Sequence, residues 1–163
     1  MTESPFRVRP ADLEAGADAE AVLQLLDAYA ADPMGDGEPL PESTRQRLIP
    51  ALRKIPERLV LLAFLDKRAI GLAIAFQGFS TFRAMPLLNV HDLAVLPEFR
   101  GRGVGSALLA GLEAEARQRG CCKMTLEVRA DNSPANALYR RRGFAAAVID
   151  DQEIQYLFLE KKL

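Results

Sequence analysis

Apolar residues recur along this chain with a period that changes between two and about 3.6, which predicts a mixture of strands and helices. Residues 6–9 alternate apolar and basic side chains, and this alternation predicts a short first strand. Over residues 19–31 the apolar side chains fall three and four positions apart, which predicts a helix with Asp18 as its N-cap. Helical spacing returns over residues 43–55, where Pro50 predicts a kink or a division into two short helices.

The middle of the chain is predicted to form β-structure followed by a strand, helix, strand unit. Leu59–Leu65 and Ala69–Phe79 are short, apolar and separated by a polar turn, so they predict a β-hairpin. A later helix that Gly120 ends connects two strands, and such a crossover makes the two strands parallel. The predicted bounds are Leu87–Val95 for the first strand, about Val104–Arg119 for the helix and Cys121–Val128 for the second strand. A helix from Ser133 to Gly143 and a strand at Ile154–Leu159 are predicted to follow this unit.

The length and the charge of the chain limit the class of protein. We expect a single domain over residues 1–163, because this length can bury an ordinary core. Charged residues make up 26% of the chain but leave a formal net charge of -1, so no global field attracts nucleic acid or an anionic membrane. The longest apolar run is too short to span a bilayer, and the first residues lack the pattern of a targeting segment. We expect a soluble, cytoplasmic protein without a nucleic-acid or membrane partner.

Cysteine and histidine are scarce in this sequence. Cys121 and Cys122 are adjacent, and His91 is the single histidine. Adjacent cysteines are poorly placed to bridge each other, and too few other ligands accompany them to hold a metal ion. We therefore expect a reduced thiol pair and no metal.

The segment EFRGRGVGSALL, residues 98–109, leads from a predicted strand into a predicted helix. Glycine at every second position lets backbone N–H groups converge on a ligand, and the start of a helix favours an anion. Two arginines add fixed positive charge, and a serine can add a hydroxyl group. The segment therefore predicts a phosphate site formed by Arg100, Gly101, Arg102, Gly103, Val104, Gly105 and Ser106.

Two well-known phosphate loops do not fit this segment. A Walker A loop needs Lys and then Ser or Thr after its last glycine, and neither GKS nor GKT occurs in the chain. The dinucleotide fingerprint G-x-G-x-x-G needs a glycine where Ser106 stands. Taken alone, the loop indicates either another kind of phosphate site or a tight packing contact between a strand and a helix.

Residues 88–144 closely resemble the coenzyme A-binding half of the GNAT acetyltransferase superfamily. Three features in the family's order carry this resemblance over about a third of the chain. They are the (R/Q)-x-x-G-x-(G/A) loop at Arg100–Gly105, the L-A-V strand end at Leu93–Val95 with Pro97 after it, and N-x-x-A-x-x-L-Y-x-x-x-G-F at Asn132–Phe144. The N-terminal part fits the family's order of strands and helices but has no motif of similar weight.

The resemblance implies a fold, a cosubstrate and the residues that bind it. The fold is the α/β GNAT fold, a central twisted mixed sheet of about seven strands flanked by about four helices and splayed between strands 4 and 5. The cosubstrate is acetyl-CoA, with coenzyme A as product. Its pyrophosphate is held by Arg100–Gly105, and its pantetheine arm and acetyl carbonyl meet the backbone of Leu93, Ala94 and Val95. Asn132 matches a position that often contacts the cofactor, although an Asn before Ser-Pro is also an ordinary loop residue.

Two catalytic roles follow from the same resemblance. Tyr139 matches the family tyrosine that protonates the departing thiolate, a task for which a phenol is a suitable acid. The attacking amine must also lose a proton, and His91, two residues before Leu93, is the candidate base. Relatives with a base on this strand often have Glu there, so the assignment stays open, with Glu127 and a water chain as rivals. Asp92 points to the opposite side if the strand is regular.

The acceptor is the part of the reaction that the sequence leaves most open. The segment DPMGDGEPLPE, residues 32–42, has four acidic side chains that could attract a cationic amine, although acidic surface loops are common. Phe79, Phe82 and Met85 could form a wall of an acceptor pocket or cover the core.

Three functions agree with these patterns. The first is an N-acetyltransferase that acts on a primary amine, by direct attack, with a small-molecule acceptor expected. The second is a protein or peptide N-acetyltransferase, and the third is a non-catalytic acyl-CoA-binding regulatory module. A ping-pong route through Cys121 or Cys122 is a minor alternative. Exposed strand edges in this architecture often pair, so a homodimer is possible.

Overall fold

The computed structural model describes residues 5–149, 152–154 and 158–163. Within them lie seven strands, four α-helices and one short 3-10 helix at Pro97–Phe99. The strands are β1 Arg7–Pro10, β2 Arg58–Leu65, β3 Arg68–Ser80, β4 Met85–Val95, β5 Met124–Leu126, β6 Ala147–Ile149 and β7 Gln152–Ile154. The helices are α1 Gly16–Ala30, α2 Glu42–Arg53, α3 Val104–Gln118 and α4 Ser133–Arg141.

The first five strands form one mixed sheet in the order of the chain, β1-β2-β3-β4-β5. The first four pair antiparallel, and β4 and β5 pair in parallel across the α3 crossover, as the sequence predicts. Strands β6 and β7 pair with each other in a separate antiparallel sheet. The described strands therefore divide into five and two, where one sheet of about seven was expected, while the α/β class and the mixed sheet are confirmed.

Contacts divide the chain into two compact units, one ending at Arg129 and the other beginning at Ala130. The first unit holds the five-stranded sheet with α1, α2 and α3, and the second holds α4 and the β6–β7 pair. No helix among the described residues combines the length and the apolar composition that crossing a bilayer requires.

Helix α3 covers one face of the sheet at very close range. A Cβ atom added to Gly71 of β3 would lie 2.9 Å from a methyl carbon of Val104 and 3.1 Å from one of Leu108. One added to Gly111 of α3 would lie 2.9 Å from a methyl carbon of Leu61. The two glycines let helix and strands approach, and this packing fixes the start of α3 against the end of β4.

Helices α1 and α2 supply the core on the opposite face. Because side chains alternate along a strand, Leu62 and Leu72 point away from α3. They pack in one buried cluster with α1 and α2, to which those helices contribute Val22, Leu25, Leu26, Ile49 and Leu52. Helix α2 is continuous from Glu42 to Arg53 although Pro50 lies inside it, so the predicted division into two helices is wrong.

The start of α1 differs from the prediction because Asp18 has a different partner. The helix begins at Gly16, so Asp18 lies in its first turn and is not the N-cap. The Asp18 carboxylate accepts hydrogen bonds from both terminal nitrogens of Arg9, at 2.6 and 2.8 Å, and from the backbone N–H of Asp12 at 2.8 Å. These bonds hold the pKa of Asp18 below its usual range and attach α1 to β1.

Strand β4 carries a β-bulge in the stretch before the glycine loop. Ile74 of β3 pairs with Asp92, and the next residue, Ala75, pairs with Val90, so His91 is the extra residue. The parallel ladder with β5 covers only Leu88–Val90. Within the described residues, β4 therefore has no strand partner on its β5 side from His91 to Val95, in agreement with the expected splay between strands 4 and 5.

The C-terminal predictions agree only in part. Helix α4 is present from Ser133 to Arg141, with Asn132 as its N-cap, and it ends two residues before the predicted end at Gly143. Strand β5 is shorter than the predicted Cys121–Val128, and the β6–β7 pair was not predicted. The predicted strand Ile154–Leu159 includes residues 155–157, which lie outside the described residues.

Candidate active site

The glycine loop follows the short 3-10 helix after β4 and leads into α3. Gly101 and Gly103 have φ angles of 73° and 91°, in the left-handed region that favours glycine. A Cβ atom at either position would meet nothing within 4 Å, so the space next to these residues is open. Gly103 is the N-cap of α3, and no side chain makes a capping hydrogen bond there.

The first turn of α3 therefore presents backbone donors. The N–H groups of Val104, Gly105 and Ser106 precede the first backbone hydrogen bond of the helix, from Ala107 to Gly103. The positive end of the helix dipole adds to these donors, and together they favour an anionic group such as a phosphate. The geometry thus fits the pyrophosphate of coenzyme A, the cosubstrate that the sequence implies.

The two arginines of the loop take different positions. Arg102 is exposed, and its guanidinium lies 5.6 Å from the ring centroid of Phe99. Arg100 donates from Nε to the carbonyl oxygen of Val95 at 3.0 Å and from a terminal nitrogen to Asp32 at 2.7 Å. Arg100 is therefore bonded to the end of β4 and to the segment after α1.

Asp32 is the less exposed partner in this ion pair. Its side chain is 12% exposed, whereas that of Arg100 is 50% exposed. One carboxylate oxygen accepts from the backbone N–H of Met34 at 2.8 Å, and the other accepts from Arg100. The hydrogen bond from Met34 and then that from Arg100 hold the pKa of Asp32 below its usual range, so Asp32 is ionised at neutral pH.

The bulge changes which side chains of β4 share a face. Asp92 is paired with Ile74, and His91 packs its ring edge-on against Phe76, with centroids 5.4 Å apart. Ile74 and Phe76 lie on the same face of β3, so His91 and Asp92 lie together on that face. Asp92 was expected on the opposite side only for a regular strand, and the bulge makes β4 irregular at this point.

Asp92 and Tyr29 form a partly buried pair of titratable groups at this face. Burial raises the pKa of Asp92, and the charge of His91 opposes that effect. Burial also raises the pKa of Tyr29, and the charges of Asp92, Asp32 and Asp36 add to the rise. The end of α1, the acidic segment after it and the bulge of β4 therefore lie within electrostatic reach of one another.

Replacing Asp92 with asparagine is expected to raise the midpoint of thermal unfolding at neutral pH by a few degrees. Folding raises the pKa of Asp92, so its carboxylate destabilises the folded state at any pH where Asp92 is ionised in both the folded and the unfolded chain. This destabilisation disappears as the pH falls and Asp92 becomes protonated. The gain should therefore vanish near the pKa of an unfolded Asp, about 3.9. Thermal melts of the wild type and of Asp92→Asn, from neutral pH down to about pH 3.9, check the prediction. The variant Asp36→Asn, at an exposed position, is the control. A lower midpoint at neutral pH would contradict it.

Asn132 and Tyr139 lie in the second unit. The side-chain oxygen of Asn132 accepts the backbone N–H of Ala135 at 3.2 Å, and this bond caps α4. Tyr139 is half-buried in α4, with its ring edge-on to Phe144 at a centroid distance of 5.8 Å. Asn132 therefore has the helix-capping role of an ordinary loop residue, and the cofactor and acid roles of the two residues stay predictions.

The rival groups are two thiols and one carboxylate. Burial raises the pKa of Cys121, which lowers the fraction of reactive thiolate, and Cys122 is a second free, half-buried thiol. Glu127 is exposed, just after the end of β5. Within the described residues, no group of three or more His, Cys, Asp or Glu side chains could hold a metal ion.

Sequence reasoning missed the contributions of Tyr29 and Asp32 to this site. In the sequence, Tyr29 belongs only to the apolar pattern of residues 19–31, and Asp32 is only one of four acidic residues in the segment 32–42. Their partners lie far away in sequence, 68 residues in the case of Asp32 and Arg100. The acidic segment 32–42 was the one signal in the sequence for Asp32, and it did not indicate that Arg100 is the partner of Asp32.

Comparisons with known proteins agree with this geometry. The model of a family described as Acetyltransferase (GNAT) family matches residues 22–144. A mycothiol acetyltransferase of Clavibacter sepedonicus is 52% identical over 65 residues, which are 39% of this chain and 21% of that protein. The match thus spans about a fifth of the length of that relative.

Solved structures share the fold over nearly the whole chain. One described as a probable acetyltransferase has 28% identity and a TM-score of 0.76, covering 96% of this chain and 98% of that one. The structure of AAC(6')-Iy with a coenzyme A bisubstrate analogue has 19% identity and a TM-score of 0.74, covering 97% and 99%. The resemblance noted in the sequence is confirmed, and because the family model covers more than half of its residues, this chain belongs to the acetyltransferase (GNAT) family.

Proposed function

We propose that this chain transfers the acetyl group of acetyl-CoA to a primary amine of a small-molecule acceptor, by direct attack in a ternary complex. The main support is the combination of a bulged strand that loses its β5 partner with an open glycine loop that follows it after the short 3-10 helix. Family membership supports the acetyl donor. AAC(6')-Iy, which shares the fold, has been solved with a coenzyme A bisubstrate analogue.

Backbone groups are proposed to supply most of the binding of acetyl-CoA. The N–H groups of Gly101–Gly105 and the hydroxyl of Ser106 would hold the pyrophosphate at the start of α3. Leu93, Ala94 and Val95 would offer N–H and C=O groups to the amides of the pantetheine arm, because β4 has no β5 partner there. Asn132 would add a contact through its side-chain amide.

Two side chains are proposed to move protons. His91 accepts a proton from the acceptor ammonium, directly or through water, which leaves a nitrogen lone pair to attack the carbonyl carbon. As the new C–N bond forms and the C–S bond breaks, Tyr139 donates its phenolic proton to the sulfur. As the amide forms, the nitrogen loses its second proton, which returns to the tyrosinate directly or through water, and His91 releases its own proton to solvent.

A peptide or protein acceptor is the second candidate, and one observation favours it. Phe79, Phe82 and Met85 at the β3–β4 hairpin are 62%, 101% and 42% exposed, so the alternative that they cover the core is wrong. Exposed apolar side chains of this kind can bind a partner chain. The regulatory module and the ping-pong route through Cys121 or Cys122 receive no comparable support. A single domain over residues 1–163, a cytoplasmic location and a possible homodimer stay predictions.

Release of free coenzyme A from acetyl-CoA tests the proposal. The acceptors are polyamines, aminoglycosides, amino acids and short peptides, with a blank that contains no acceptor. We expect release above the blank for one class of small amine. Release only with peptides would favour the second candidate, and bound acetyl-CoA without release for any acceptor would support the regulatory module.

His91→Ala is expected to lower kcat about tenfold to a hundredfold at neutral pH, because a positioned base contributes about 10² and water can take over part of its role. The ring is exposed and touches Phe76 only at its edge, so thermal stability should change little. Steady-state rates with the acceptor found in the panel check the prediction. Full activity of His91→Ala together with inactivity of Asp92→Asn would transfer the role of the base to Asp92.

A further inference from the structure

Arg100 opens the proposed pyrophosphate loop, yet its side chain is bonded elsewhere. Two of its nitrogens bind protein acceptors, the Val95 carbonyl and the Asp32 carboxylate. Asp32 is the less exposed member of the pair, and its second oxygen is bonded to the backbone of Met34. A phosphate that used the Arg100 side chain would compete with an ionised carboxylate at 2.7 Å.

The segment held by this pair follows α1. It folds back onto the end of α1, where the N–H groups of Asp36 and Gly37 both bond to the Ala30 carbonyl, at 3.0 and 2.9 Å. Gly35 is required in this fold, since a Cβ atom there would lie 2.2 Å from the carbonyl oxygen of Tyr29. Tyr29 in turn is within electrostatic reach of Asp92.

A second contact holds the same segment from the other separated strand. Arg129, which follows β5, donates to the carbonyl oxygen of Pro33 in a long hydrogen bond of 3.5 Å. Arg100, in the loop that follows β4, and Arg129, in the residues that follow β5, thus both bond to Asp32–Pro33. These two bonds connect the segment to the chain beyond each of the two strands.

We propose that Asp32 and Arg100 are a positioning pair, through which the coenzyme A loop holds the segment 32–37 at the acceptor side of the site. The Arg100 side chain then serves this segment, and the backbone N–H groups of the loop hold the pyrophosphate. Coenzyme A that orders the loop would also order the segment 32–37, because the ion pair joins the two. This role rests on the proposed function of the loop.

The test combines coenzyme A binding by calorimetry with hydrogen exchange of the segment 32–37 in the whole chain. The variants are Asp32→Asn, Arg100→Gln, their double variant and Asp36→Asn as control. Asn at position 32 keeps one oxygen to accept from Met34, and it replaces the oxygen that faces Arg100 with an uncharged NH2 group that cannot accept a hydrogen bond. The exposed Asp36 makes no side-chain contact with Arg100 in the described structure, so its variant controls for the loss of one acidic charge.

In the wild type, coenzyme A is expected to slow exchange in the segment 32–37. Both single variants should exchange faster and lose this effect of coenzyme A, and the double variant should resemble either one. The dissociation constant for coenzyme A should stay within about twofold in each, because loss of a charged phosphate contact would instead raise it about tenfold or more. If the pair had only a structural role, the variants would exchange faster than the wild type, but coenzyme A would still slow their exchange.

Two results would contradict the proposed positioning role of Asp32 and Arg100. A tenfold weaker affinity for coenzyme A in Arg100→Gln but not in Asp32→Asn would make Arg100 a phosphate ligand. Slowing by coenzyme A that persists in Asp32→Asn would remove the link between loop and segment. A wild type that does not bind coenzyme A would refute the proposed function, and exchange in the free variants would still show whether the pair holds the segment.

Discussion

Tyr139→Phe is expected to lower kcat about a hundredfold, because a positioned general acid contributes about 10² to 10⁴ to the rate. The substitution removes the proton donor and keeps the ring that packs against Phe144. Affinity for coenzyme A and thermal stability should therefore change little. Steady-state kinetics with saturating acetyl-CoA and the acceptor from the panel provide the measurement.

The identity of the leaving thiol gives this prediction a sharper control. An acetyl thioester with a more acidic thiol produces a thiolate that needs less protonation, so Tyr139→Phe should slow its reaction less than that of acetyl-CoA. An equal loss with both donors would indicate that the hydroxyl positions the substrate. A kcat near that of the wild type would remove Tyr139 from the mechanism.

Gly103→Ala is expected to weaken coenzyme A binding about tenfold or more, because it removes one or more charge-assisted hydrogen bonds from the loop. With a φ angle of 91°, Gly103 adopts a conformation that an alanine enters only with strain, and its open side is where a phosphate would approach. Either the backbone at position 103 changes its conformation, or it keeps its conformation and the added methyl group occupies the space proposed for the phosphate. Calorimetric titration with coenzyme A measures the loss.

Gly120→Ala is the matched control for this loop variant. Gly120 also has a positive φ angle, 68°, also has nothing within 4 Å of an added Cβ atom, and lies at the other end of α3. Both variants should lose about 1–2 kcal/mol of unfolding free energy through backbone strain. Only Gly103→Ala should lose coenzyme A affinity, and an equal loss in both would make the effect one of general destabilisation.

Local patterns predicted the elements that surround the loop. The β2–β3 hairpin and α3 have strong periodicity and clear turn or stop residues, and both were placed within a few residues of their observed bounds. Asp18 shows where such a rule fails. Its residue type favours an N-cap, but the bidentate bond with Arg9 gives its carboxylate a better partner and lets α1 begin at Gly16.

The bulge at His91 could not be predicted from periodicity. A bulge adds one residue to one strand only, and the register with β3 that reveals it depends on tertiary pairing. The consequence is large for the site, because it brings His91 and Asp92 to one face. The residues of the loop were predictable because glycine and arginine spacing is local, whereas the bond from Arg100 to Asp32 was not.

Acetyl transfer itself is tested most directly with acetyl-CoA that carries a deuterated acetyl group. Mass spectrometry of both the acceptor and the intact protein after turnover locates the label. Direct attack predicts a labelled acetyl group on an acceptor amine, one coenzyme A released for each, and no label on the protein in reactions without acceptor. Label on a cysteine of the protein, or no label on any amine while acetyl-CoA binds, would contradict direct transfer by this chain.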